Sequence, residues 1–269
     1  NEVVDPAKIA RLVGLTDHAS VTLAVDSHEA VQLLSNEAAR TGATVHVLID
    51  VDVLIHRCGV ASPAEALALA RTVERSPGLE LEGIMGYEGR IRPGVLDRAA
   101  RIASAYETLA STRAALQDAG LQVCTVSASG TATLREALAE PVITELQSGV
   151  YAVMEPELTG MGLPFRCAAA VRGTVISSHP DRAVLDIGRR SIGMEYGPPI
   201  PVDLDVRQVV VSDEHTTLWT EGPPPPLGSQ VDLVPGQVRT TFNLHEEVIG
   251  VSGGDIVETW PIAARGASR

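Results

Sequence analysis

Lysine is almost missing from this sequence. Lys8 is the only one in 269 residues, and every other basic side chain is arginine. Chemistry that needs a lysine amine therefore has a single candidate in this stretch. Aromatic residues make up 3% of the chain, so each tyrosine in a motif carries weight. The three cysteines, Cys58, Cys124 and Cys167, are odd in number and far apart, with no CxxC. That excludes a disulfide framework and a thiolate zinc site, and it suits a reducing, cytoplasmic setting. No apolar run approaches the roughly 18 residues of a membrane span, and no leader peptide is expected. Acidic residues outnumber basic ones 34 to 21, giving a net charge of −13 without a basic cluster. Nucleic acid is thus not an expected partner.

What is present is apolar and periodic. Hydrophobic residues account for 45% of the chain, ample for a packed core in one large domain or two smaller ones. Asn1–Val4 reads as the tail of a strand, followed by a helix from Pro6 to about Leu15. Strands are expected at Val21–Val25, Val45–Val51, Leu79–Met85, Leu121–Val126 and Val142–Gln147. The nearly all-apolar VHVLIDV run fits a parallel strand buried on both faces. Helices should follow Ser27 and Ser62, each opening with a capping-box pattern, and a long one should run from Val95 to Ala119. This βα alternation predicts a parallel α/β sheet with ligands at the C-terminal strand ends. After Pro164 the texture changes to short β segments between Pro/Gly turns, such as Pro223–Pro226. A domain over 1–164 and a mainly antiparallel β domain over 165–269 are expected.

Two strand ends stand out. The fourth strand leads through Ser127-Ala-Ser-Gly-Thr131 into a short helix, Thr131–Ala139. The fifth leads into Ser148-Gly149-Val150. Gly/Ser turns of this kind bind anions through backbone N–H groups, with no lysine needed. The same pattern also fits two ordinary strand-to-helix turns.

Collinear motifs link the chain to a family. They are Asn1–Val4, Asp50–Asp52 with Arg57–Val60, Gly83–Gly89, Val126–Thr133, Thr144–Tyr151, Asp186–Gly188, Ser212–His215, Thr241–Glu246 and Trp260–Gly266. In this order they resemble the fold-type III pyridoxal-phosphate (PLP) enzymes of the D-threonine aldolase and D-serine dehydratase group, with alanine racemase more distant. The resemblance implies a (β/α)8 barrel followed by a β domain, with PLP at the barrel mouth. It implies that Ser129, Gly130 and Thr131, with Gly149, Val150 and Tyr151, hold the phosphate, and that Gln147 also binds the cofactor. Tyr87 would lie beside the pyridine ring, and Arg57 would face cofactor and substrate. His245, Glu214 and His215 would be rim acid/base groups, and the active protein a homodimer. The residues alone leave blander readings open. Arg57 could be a surface partner of Glu88, Tyr87 could be core filler, and His56 reads as a loop histidine.

The chain departs from the family at two places. A barrel needs eight strands and five are expected here, so the first three strands and the cofactor lysine are expected to lie upstream. Lys8 sits on a helix, in the wrong place to join the cofactor. The family's divalent-metal ligand pair is also replaced, by Gln237 and Arg239. Amide oxygen is a poor ligand for a transition metal, and a guanidinium repels one. No metal is expected, and Arg239 becomes a candidate receptor for a second substrate carboxylate. The expected function is a metal-independent lyase acting on D-amino acids or β-hydroxy amino acids. Alternatives are an amino-acid racemase and a non-catalytic binder of PLP or another phosphorylated ligand.

Overall fold

A computed structural model describes residues 1–267. The chain forms two compact units, Asn1–Gly149 and Val150–Arg269. The expected domain border after Pro164 lies beyond this division by the segment Val150–Pro164.

In the first unit, α1 (Pro6–Val13) precedes β1 (Thr22–Val25), α2 (His28–Thr41), β2 (Val45–Asp50), α3 (Pro63–Glu74), β3 (Leu79–Gly86), α4 (Arg98–Asp118), β4 (Thr125–Ala128), α5 (Leu134–Leu138) and β5 (Glu145–Leu146). The strands pair in chain order, β1-β2-β3-β4-β5, and every pairing is parallel. Local chemistry sets the helix ends. Ser27 Oγ accepts the Ala30 N–H, and Gly42 closes α2 in the left-handed region at φ 73°. Ser62 caps α3 over Pro63, while Glu65 accepts the Ala61 N–H.

One face of the sheet packs under the helices. Val45, Val47 and Ile49 of β2 meet Val31 and Leu34 of α2, Leu69 and Val73 of α3, and Leu109 and Leu116 of α4 in one buried cluster. Burying each such side chain contributes about 1.5–3 kcal/mol. On the other face, Ala24, Leu48 and Met85 form a separate small cluster. These are the intervening residues of the same strands, as the two-residue side-chain period requires.

Several boundaries differ from expectation. The fourth strand starts at Thr125 rather than Leu121, because Gly120 (φ 86°) ends α4 and Leu121 and Val123 are spent packing against the helix-side core. Ser127 and Ala128, expected in a turn, are strand residues paired with β3. The helix expected over Thr131–Ala139 is a 3-10 turn, Thr131–Thr133, followed by α5. The fifth strand is only Glu145–Leu146, and Asn1–Val4 is not in a strand.

The second unit contains α6 (Pro156–Thr159), β6 (Val171–His179), β7 (Arg182–Leu185), β8 (Ile200–Pro201), β9 (Val206–Val211), β10 (Thr216–Thr220), β11 (Gln230–Val234), α7 (Val238–Leu244), β12 (Glu247–Ser252) and β13 (Asp255–Pro261). Six strands make an antiparallel sheet in the order β8-β11-β6-β7-β10-β9 around Val175, Leu185, Leu218 and Leu233. β12 and β13 form a separate hairpin. The sequence predicts β segments at Ala169–Ser177, Arg182–Ile187, Gln208–Ser212, Gln230–Val234, Glu247–Ser252 and Asp255–Pro261, so α6, β8, β10 and α7 are additions. Among the described residues no helix is long and apolar enough to cross a membrane.

Candidate active site

Tyr87 and Glu88 follow the end of β3 and part company there. Tyr87 is half-buried, whereas Glu88 is fully buried. Two glycines make room for the Tyr87 ring. A Cβ on Gly89 would fall 2.1 Å from ring carbons, and one on Gly130 would fall 3.3 Å from the hydroxyl. Arg57 comes to the same ring, its guanidinium carbon 5.7 Å from the centroid, within cation–π range. Loops after β2, β3 and β4 therefore meet at one tyrosine. The Arg57 loop is held by Asp52, whose two carboxylate oxygens bond the His56 N–H at 2.9 Å and His56 Nδ1 at 2.7 Å. His56 itself is exposed, as a loop histidine should be.

Glu88 does not pair with Arg57 on the surface, the blander reading of that residue. Its Oε1 accepts the Tyr106 hydroxyl at 3.1 Å and the Thr133 hydroxyl, and its Oε2 accepts the Ser129 N–H at 3.2 Å. Burial, and then the Glu88 charge, push the Tyr106 phenol well above its usual range, so it remains a donor. Ser129 sits at φ 78°, and Gly130 donates its N–H to Thr133 Oγ1 at 3.1 Å. The amides of Ser129 and Gly130, expected to face a phosphate, are thus engaged by the protein's own side chains. Thr131 follows them, buried, at the start of the 3-10 turn.

Beside these loops a cleft of about 250 Å³ runs along the sheet, bordered by Ala24, Leu48, Met85, Ser127 and Gln147. Gln147 Nε2 donates to Ser127 Oγ at 3.1 Å, and Ser127 in turn donates to Glu145. Gly149 ends the unit in open space, with nothing within 4 Å of an added Cβ.

At the end of β2, buried Asp50 lies against Glu2. Burial, then the hydrogen bond and charge of Glu2, raise its pKa to about 8. Burial opposes charge on Glu2 too, but hydrogen bonds from Asp50 and its own backbone outweigh it and hold that carboxyl below the ordinary range. Cys58 joins them, the three ligand-capable atoms lying within 4.8 Å of one another. The two carboxyl groups share a hydrogen bond in this arrangement.

The remaining expected residues belong to the second unit. Val150 and Tyr151 lie in a 3-10 turn, with the Tyr151 ring 5.2 Å from Phe165. Gln237 is buried and caps α7, its Oε1 accepting the Arg239 N–H at 2.7 Å. The Arg239 guanidinium lies 5.9 Å from the Tyr196 ring and 3.9 Å from fully buried Glu155. His245 ends α7 and donates from Nε2 to the Ser191 carbonyl at 2.7 Å. Glu214 and His215 are exposed in the turn between β9 and β10, where Glu214 pairs with Arg190 at 3.2 Å.

Sequence reasoning missed the work done by Glu88, Glu155 and Asp50. Asp50 carried a visible signal, a carboxylate inside an apolar strand. Glu88 carried a weaker one, a charge between an aromatic residue and a glycine.

Comparison with known proteins identifies the family and the fold. The alanine racemase N-terminal domain model matches residues 3–156, and a serine dehydratase domain model matches residues 168–251. A D-threonine aldolase from Arthrobacter sp is 36% identical, over all of this chain and 74% of its own length. A 3-hydroxy-D-aspartate aldolase from Paracoccus denitrificans (strain Pd 1222) is 29% identical, over 99% of this chain and 72% of its own. The crystal structure of a D-threonine aldolase from Filomicrobium marinum superposes with a TM-score of 0.93 at 33% identity. It covers all of this chain and 76% of that one. The parallel sheet is thus an arc of an alanine racemase-type barrel, and the chain belongs to the pyridoxal-phosphate-dependent D-threonine aldolase and D-serine dehydratase-like family.

Proposed function

We propose that this chain carries the cofactor and substrate groups of a lyase that cleaves β-hydroxy D-amino acids without a divalent metal. The observation that carries the reading is the meeting of Arg57, Tyr87 and the Gly130 turn at the C-terminal ends of parallel strands. That is where such folds bind ligands.

The residues present fit pyridoxal phosphate. The slot between Gly89 and Gly130 fixes the Tyr87 ring, which would lie beside the cofactor's ring, and the Tyr87 hydroxyl reaches the turn that would hold the phosphate. Ser129 and Gly130 turn their N–H groups inward, and in the first unit the proposal gives the phosphate to Thr131 and Gly149; Val150 and Tyr151 of the second unit are carried over from the family resemblance alone. When bound, the cofactor's ring supplies the electron sink for a bond broken at the substrate's α-carbon. Arg57 offers a fork of N–H donors for the substrate's α-carboxylate. Nε2 of His245 is committed as a donor to the Ser191 carbonyl, which leaves Nδ1 as the ring nitrogen free for a substrate. That nitrogen is the candidate acceptor for the β-hydroxyl proton as the carbon–carbon bond breaks. Arg239, steadied by Tyr196 and Glu155, supplies fixed positive charge for a second carboxylate.

The metal-free part of the reading rests on Gln237, whose side-chain oxygen is used as a helix cap. A homodimer in the cytoplasm is part of the same proposal and follows the family. The test is a product assay on D-threonine and 3-hydroxy-D-aspartate, run with these residues joined to the upstream strands expected to carry the cofactor lysine, with added cofactor and excess chelator. Glycine with acetaldehyde, or glycine with glyoxylate, supports the lyase. Oxo acid with ammonia indicates loss of water, and an inverted amino acid indicates a racemase; either product would overturn carbon–carbon cleavage.

A further inference from the structure

We propose that Glu88 is a positioning residue that sets this chain's preference for a phosphorylated ligand, an inference that rests on the cofactor reading above. Its carboxylate joins two segments distant in sequence, the end of β3 and the turn 129–133. The first carries Tyr87, and the second carries Gly130 and Thr131. Both Glu88 oxygens are spent on this junction and on Tyr106 of α4.

Three features make the junction specific rather than general packing. Ser129 is a non-glycine residue at φ 78°, a conformation that lasts only where its surroundings hold it. The Glu88 bond to its N–H supplies that hold. Thr133 relays the same carboxylate to the next residue, because its hydroxyl donates to Glu88 while its oxygen accepts the Gly130 N–H. Gly130 in turn borders the Tyr87 ring. One buried side chain therefore fixes the backbone of the turn and the gap between that turn and Tyr87. If the Ser129 N–H loses its acceptor, the turn is free to relax and the phosphate end loses its geometry. The ring end keeps Arg57 and Tyr87.

The test uses the whole chain and two probes without an aldehyde, pyridoxine 5′-phosphate and pyridoxine, titrated by calorimetry. Wild-type protein should prefer the phosphate ester. Glu88→Met keeps the bulk and removes the acceptors, so it should lose about tenfold in affinity for the ester and little for pyridoxine. Glu88→Gln keeps an oxygen for the Ser129 N–H and should stay within about threefold of wild type for both probes. A folded Glu88→Met protein with the wild-type preference overturns the role of Glu88. Should circular dichroism find that variant unfolded, the near-isosteric Thr133→Val decides. A loss confined to the ester supports the proposal, and wild-type affinity overturns it. A wild-type protein with no preference for the ester overturns the cofactor reading itself, a result distinct from failure of the variants alone.

Discussion

The side-chain oxygen of Gln237 accepts the backbone N–H of Arg239 at 2.7 Å, so the two residues that the sequence resemblance puts at the metal positions are bound to each other. Activity and melting temperature should therefore be unchanged by excess chelator or added Mn²⁺. Replacing Gln237 by His and Arg239 by Cys should bring a metal response. Activity that disappears with chelator in the unaltered protein would show that another set of ligands holds an ion.

Arg239 makes a separate prediction about selectivity. Arg239→Ala should lower kcat/KM for 3-hydroxy-D-aspartate about tenfold more than for D-threonine, the scale of one charge-assisted hydrogen bond at a partly exposed site. Steady-state kinetics on both substrates measures the ratio. Equal losses would assign Arg239 to holding Glu155 and Tyr196 in place.

The tyrosine slot can be tested by adding single methyl groups. Gly130→Ala brings a carbon to 3.3 Å from the Tyr87 hydroxyl, a distance met by a small shift. Gly89→Ala overlaps the ring at 2.1 Å and must move it. Thermal melts should show a cost of about 1–3 kcal/mol for Gly89→Ala and less for Gly130→Ala. Cofactor affinity should fall in the same order.

Asp50 gives a pH signature. Its folded pKa, about 8, lies above the ordinary carboxylate value, so the folded state binds the proton more tightly than the unfolded chain does. Its contribution is fully present below about pH 4 and is lost as pH rises toward 8. The lowered Glu2 offsets part of this, since its own contribution is lost on acidification. Asp50→Asn should therefore gain on the order of 2 kcal/mol relative to wild type between pH 5 and 8. Denaturant titrations at the two pH values read the difference, and parallel profiles would refute it.

Much of this molecule was legible in its sequence. Apolar runs and capping boxes located β1 to β3 and α2 to α4, because each rests on local signals within a dozen residues. The fourth strand was misjudged because Leu121 and Val123 are apolar for helix packing, not for strand pairing. β10 escaped notice because Thr-Thr-Leu-Trp-Thr has neither an apolar run nor a turn signal of its own. At the site, Arg57, Tyr87 and Gly130 could be named from motifs, but their meeting at one ring could not. The inward turn of the Ser129 and Gly130 amides was equally hidden. It depends on Glu88, which is 41 residues from Ser129 and ambiguous between surface and core until the fold is known.

The Glu88 bridge also bears on protein engineering. A loop after β3 and a turn after β4 that share one buried carboxylate cannot be exchanged independently between homologues. Chimeras that transplant either segment alone will strand a donor or an acceptor in the interior, so the two must be grafted together, with the α4 tyrosine, as a single cassette.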